Sequence, residues 1–164
     1  MRNRGLPAFL TIAAVLAACR PDEAGPPATT PDGHPLPPVA IAAKPDTEWV
    51  HRLPDLLPAI RACAARLPDG HGFVTIAWPM NKGRLGVRLA SPDGPRHECL
   101  VQDFADSVVV ERYQPLADDD VNAGERNPVF LLPGWPLLEG GCWAWEQAEE
   151  ADGSVLGVLG YSTC

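Results

Sequence analysis

Residues 72–113 read GFVTIAWPMNKGRLGVRLASPDGPRHECLVQDFADSVVVERY. Four segments within them are rich in Val, Ile, Leu and aromatic side chains: Gly72 to Trp78, Arg84 to Ala90, Arg96 to Asp103 and Ser107 to Tyr113. Such side chains suit a pleated, half-buried surface. Turn-forming clusters separate them, at Pro79 to Gly83, Ser91-Pro92-Asp93-Gly94 and Asp103 to Asp106. Links this short join antiparallel neighbours, because a parallel pair needs a crossover of about a dozen residues. The stretch is read as a four-stranded antiparallel meander.

Upstream, Leu53, Leu56, Leu57, Ile60, Cys63, Ala64 and Leu67 recur at three- and four-residue steps. That spacing predicts a helix over 53–67 with one apolar face. Asp55 is placed as its cap, and Pro58 in the first turn, where a missing donor does little harm. Pro68-Asp69-Gly70 stops it. Downstream, residues 114–141 are loop-like, with a short strand at Val129 to Leu132. A final hairpin runs from Cys142 to Ala148, turns at Ala151-Asp152-Gly153-Ser154 and returns through Val155 to Cys164. The expected fold is α+β, with one N-terminal helix packed on a curved antiparallel β-meander. A roll or a small, partly open barrel satisfies that pattern, and a barrel closed by the last hairpin is the alternative.

The chain has 164 residues, a net charge of −8 and a pI near 4.8. It lacks the cationic surplus that neutralises phosphates, so nucleic acid is not an expected partner. Its N-terminus begins with Arg2 and Arg4 and continues as an apolar run, Ala8 to Ala18. The run is too short for a stable transmembrane helix and reads as a secretory signal. It closes on Leu16-Ala17-Ala18-Cys19, which resembles the lipobox of bacterial lipoproteins. The resemblance implies a diacylglycerol on the Cys19 thiol, cleavage just before Cys19 and a third acyl chain on the new amine. An ordinary signal cut after Ala18, leaving a free thiol, is the competing reading. Arg20 stands where Asp would favour inner-membrane retention, so the resemblance implies the outer membrane of a Gram-negative cell, with the domain facing the periplasm.

The domain plan is then 1–18 signal peptide, 19–46 lipidated cysteine with a proline-rich disordered tether, and 47–164 a single globular domain. The mature chain carries 11 basic and 21 acidic residues, a net of −10. Eight prolines between residues 20 and 46 favour polyproline II. At about 3.1 Å per residue, that tether would hold the domain several tens of Å from the bilayer.

With Cys19 given to lipid, Cys63, Cys99, Cys142 and Cys164 remain, enough for two disulfides in an exported domain. Three connectivities are open. Cys63–Cys99 is favoured because it joins the helix's inner face to a central strand, and Cys142–Cys164 because a loop of Asp152-Gly153-Ser154 sets them opposite each other. The same register places Tyr161 opposite Trp145. Trp143 and Trp145 share one face, suited to core packing or, if exposed, to sugar rings or a protein. Trp135, in Pro133-Gly134-Trp135-Pro136, is the expected exposed anchor for a partner.

Residues 47–97 carry a net +3 and residues 98–164 a net −11. Asp118, Asp119 and Asp120 head an acidic loop that is a candidate contact for a cationic partner. Asp118, Asp120 and Asn122 fall at the first three ligand positions of an EF-hand. Ala123 stands where glycine is needed and Val129 where glutamate is, so a solvated loop is expected rather than a calcium site. No Gly-x-Ser-x-Gly, His-Glu-x-x-His, Cys-x-x-Cys or phosphate-cradling loop occurs, and His34, His51, His71 and His97 are scattered. The reading expects no catalysis, cofactor or metal, with an enzyme and an irregular calcium loop as the minority alternatives. It expects a non-catalytic periplasmic binding domain, an inhibitor or immunity protein against an envelope hydrolase or toxin. The alternative is a structural component of the envelope contacting peptidoglycan or an assembly complex. The lysozyme-inhibitor lipoproteins are similar in size and address, an analogy of architecture only.

Overall fold

The computed structural model describes residues 28–41, 48–92, 94–117, 128–140 and 142–163. Its elements in chain order are β1 (Pro38–Ala40), α1 (Glu48–His51), α2 (Leu53–Ala64), β2 (Phe73–Pro79), β3 (Arg84–Ala90), β4 (Arg96–Phe104), β5 (Ser107–Pro115), β6 (Val129–Leu131), β7 (Trp143–Glu149) and β8 (Val155–Ser162). The strands form one mixed, open sheet of eight in the order β1-β7-β8-β6-β2-β3-β4-β5. All neighbours are antiparallel except β1 and β7, which are parallel. The architecture is a β-rich α+β fold. The hairpin does not close a barrel, because β1 and β5 are the two ends of the sheet.

The meander forms as its turn clusters require, with β2 through β5 in sequence order. The short strand β6 bridges the meander to the β7–β8 hairpin, pairing with β2 on one side and β8 on the other. Helix α2 lies on one face of this sheet, against β2, β3, β4, β5 and β8. It buries Leu53, Leu56, Leu57, Ala59, Ile60, Cys63 and Ala64, the face that the spacing picks out plus Ala59. Each large aliphatic side chain among them contributes about 1.5–3 kcal/mol by leaving water.

The helix begins at Leu53 as expected, but its capping residue and its C-terminal end differ. It starts two residues ahead of Asp55, which therefore sits in the first turn and does not cap. Arg52 takes the cap position without a side-chain hydrogen bond, and Arg52 and Asp55 form an exposed pair at 3.9 Å. Pro54 occupies the first turn and Pro58 lies inside the helix. The helix ends at Ala64, and Arg66 and Leu67 follow in tight turns, with Leu67 still buried.

The β7–β8 register also corrects the expectation. The loop is displaced by one residue from the Asp152-Gly153-Ser154 expected: Glu150 N–H donates to Ser154 O (2.9 Å), leaving a loop of Ala151, Asp152 and Gly153. A bulge then shifts the pairing by one residue between Ala148 and Glu149. Trp145 consequently faces Gly160, Tyr161 faces Ala144, and Cys142 stands beside Thr163. Within the loop, hydrogen bonds from Ser154, side chain before backbone, hold the Asp152 carboxyl below the usual carboxylate range.

Part of the stretch read as a disordered tether is folded. Pro38, Val39 and Ala40 pair with Gln147, Ala148 and Glu149, and Leu36 and Ile41 are buried. Proline richness removes backbone donors, yet an edge position needs few, so apolar anchors decide the outcome. Among the described residues, no helix is long and apolar enough to cross a membrane.

Candidate functional site

The face of the sheet away from α2 carries a second apolar cluster built on Leu36, Leu131 and Val158. The segment after β6 folds over it. Leu132-Pro133-Gly134-Trp135 is a tight turn in which Trp135 N–H donates to Leu132 O (3.0 Å). Gly134 has φ +82°, the value a type II turn demands of its third residue, with proline favoured just before it. The turn throws the Trp135 ring back onto the sheet, half-buried against both apolar clusters. Its Nε1–H donates to Gly70 O (3.1 Å) in the α2–β2 loop.

Trp135 therefore packs half-buried and pins a loop, rather than standing wholly clear of the fold. Replacing it with phenylalanine keeps the ring and removes the donor. The Gly70 carbonyl then relies on solvent, and urea unfolding should register a loss of about 1 kcal/mol.

The neighbouring hairpin supplies a better-formed aromatic surface. Trp145 lies over Gly160, where any Cβ would collide with the indole. Trp78 uses the same device, its ring covering Gly86 across the strand. Both are cross-strand pairs in which an aromatic ring fills the space a glycine leaves. Trp143 then stacks on Trp145, with ring centroids 5.5 Å apart and planes at 27°. Beyond Trp143 lies a groove of about 420 Å³ walled by Phe73, Pro92, Pro136, Leu137, Leu138 and Glu139. A smaller cavity of about 230 Å³, reached by Ala28, Thr29 and Trp135, shares Pro136 and Leu137 with it. The platform is rigid because each ring rests on the next and the last rests on backbone.

A more open depression of about 560 Å³ lies between α2 and the β7–β8 turn, lined by Pro58, Arg61, Glu150 and Asp152 among others. Leu57, Leu156 and two prolines line it beside these charged side chains, and among the described residues no aromatic ring stands in it to anchor a partner.

The other candidate residues separate clearly. Cys63 and Cys99 form a disulfide, with both residues fully buried and Cα atoms 5.9 Å apart. Cys142 is disulfide-bonded as well. Cys164, Cys19 and the acidic residues Asp118, Asp119 and Asp120 lie outside the described residues, as does the calcium-like spacing they head. Among the described residues, no group of three His, Cys, Asp or Glu could hold a metal ion.

His97 is not a surface histidine. It is 7% exposed and stacks on Tyr113 with ring centroids 4.7 Å apart. His97 Nδ1 and Tyr113 Oη have no hydrogen-bond partner among the described residues, and burial raises the Tyr113 pKa. Two ion pairs cross the meander: Arg84 of the basic half pairs with Glu111 of the acidic half at 3.0 Å, and Arg112 pairs with Glu98, both within the acidic half, at 2.9 Å. Arg88 lies 5.7 Å from the Trp78 ring. Arg84 and Arg112 make their ion pairs on the exposed surface of the sheet.

No family model, curated protein or solved structure matches this chain.

The groove's walls come from the start of β2, the β3–β4 turn, the segment after β6 and the start of β7. The alternation of Trp143 and Trp145 and the Pro-Gly turn are local signals. The approach of Phe73 and Pro92 to Trp143 has no local signature, since some fifty to seventy residues separate them in the chain.

Proposed function

We propose that the chain is a lipid-anchored, non-catalytic binding domain of the bacterial envelope, and that it receives its partner in the groove beside Trp143. The stacked indole carries this reading. Aromatic side chains present large contact area with only two rotatable bonds, and those that bind most strongly sit in preformed, well-packed surroundings. Trp143 is half-buried, backed by Trp145 and open to a groove whose lining side chains are apolar except Glu139, with polar backbone exposed among them. A groove of this kind suits an apolar or aromatic projection from a protein better than a charged metabolite.

The Leu16-Ala17-Ala18-Cys19 motif supports acylation at Cys19 and placement in the outer membrane, facing the periplasm. Two disulfides, Cys63–Cys99 and Cys142–Cys164, suit that oxidising compartment. Within the binding class, an inhibitor or immunity protein against an envelope hydrolase or toxin is our preferred role, with the acidic stretch Asp118 to Asp120 as a second contact.

The test immobilises the oxidised mature protein and captures partners from an envelope extract at moderate salt. One stoichiometric hydrolase or toxin is the expected catch, and Trp143→Ala should weaken its binding about thirty-fold, the effect of a 2 kcal/mol hot spot. Undiminished capture by Trp143→Ala would move the site elsewhere. Retention on isolated sacculi, with no protein captured, would favour the structural role in the envelope.

A further inference from the structure

The folded N-terminal stretch changes how far the domain stands from its anchor. Ala28 N–H donates to the Gln147 side chain at 3.3 Å, and Gln147 N–H donates to Pro37 O at 3.0 Å. Thr29 bridges to Pro35 around a turn in which Thr30 N–H donates to His34 O at 2.8 Å. Leu36 enters the apolar cluster with Leu131 and Val158 on the face away from α2. Five residues later, Ile41 enters the core beneath α2. Residues 28–41 thus wrap the free edge of β7 from one face of the sheet to the other, held by an apolar residue at each end and by β1 between them.

We infer that this stretch is a strap that shortens the tether and keeps the domain close to the membrane. The inference rests on the reading of Cys19 as the lipidated residue. If everything from 20 to 46 were spacer, the chain would reach about 95 Å from Cys19 to the domain, at the extended limit of about 3.5 Å per residue. With the strap in place only residues 20–27 lie between Cys19 and the fold, and the same limit becomes about 30 Å. The strap's first residue, Ala28, lines the cavity that also touches Trp135 and Leu137. The partner-binding face and the point of attachment are therefore neighbours. A partner taken there must itself lie near the bilayer, since the strapped domain cannot sweep the wider periplasm.

The test measures the domain's height above a supported bilayer by neutron reflectometry, using the acylated mature protein. Ala40→Cys with Glu149→Cys links paired positions of β1 and β7 and locks the strap. Leu36→Asp with Ile41→Asp removes both buried anchors and releases it. Wild type and the locked form should give the same height, with the near edge of the domain no more than about 30 Å from the bilayer surface. The released form should give a layer higher and broader by tens of Å. A wild type that stands well above the locked form would overturn the strap, and this comparison holds even if the released form fails to fold. The intact mass of the membrane-extracted protein tests the anchor separately. If acyl chains are absent, the anchor reading fails, and coupling Cys19 to a maleimide lipid still decides the strap by the same heights.

Discussion

Removing the Cys63–Cys99 bond, by alanine at both positions, is expected to lower the unfolding free energy by about 4 kcal/mol. The bond closes a loop across a sequence separation of 36 residues, and the chain-entropy relation for a loop of that size leads to the figure. Native domains have a net stability of about 5–15 kcal/mol, so much of a modest margin would be lost. The geometry adds to the effect. Cys63 lies on the buried face of α2 and Cys99 in β4, so the bond ties the one long helix to the middle of the meander. Both residues are fully buried, and the double variant leaves two small voids where the sulfurs met. Urea unfolding of the oxidised protein and the double variant gives the difference directly. A change below about 1 kcal/mol would show that the helix is held by apolar packing alone.

Phe130→Ala should cost about 3–5 kcal/mol, the range for emptying a large aromatic site in a closed core. Phe130 is fully buried at the middle of β6, paired with Val74 on one side and Leu159 on the other. Its ring also fills the space in front of Gly157, where a Cβ would collide with it and with the Leu131 carbonyl. Within the sheet, the three residues of β6 join the meander to the β7–β8 hairpin, and α2 packs on both parts. The loss should therefore show as more than a lower midpoint. Hydrogen exchange is expected to quicken in β7 and β8 before it quickens in β3 and β4, because the hairpin is the part that loses its attachment. Uniform acceleration across the sheet would indicate that the two parts unfold as one unit.

Much of the architecture is legible in local pattern. Val, Ile and Leu alternate between turn clusters along 72–113, and short links permit only antiparallel neighbours, so β2 to β5 follow in order. Helix α2 is equally visible because its apolar residues recur at helical spacing, and the same face places Cys63 toward the sheet that carries Cys99. The site is less legible. The Trp143–Trp145 alternation signals a shared face, but whether that face is solvent, core or groove depends on Phe73, Pro92 and Leu137 arriving from elsewhere. Trp135 shows the limit of composition most clearly. Its loop has the residues of an exposed turn, and the ring nevertheless folds back to reach Gly70.

By itself, then, the chain determined its meander, its principal helix and the cysteines that join them, because each depends on spacing between residues close in sequence or on a buried face with one period. Tertiary structure alone decided three other features. The hairpin register follows the position of the turn and a bulge at Ala148/Glu149: the turn alone would set Trp145 opposite Leu159, and the bulge brings it to Gly160 rather than to Tyr161. The proline-rich stretch becomes β1 because Leu36 and Ile41 find two different apolar pockets, which no local propensity reports. The groove exists because β6 brings the meander and the hairpin side by side, and contacts between residues so far apart are fixed only when the whole sheet assembles.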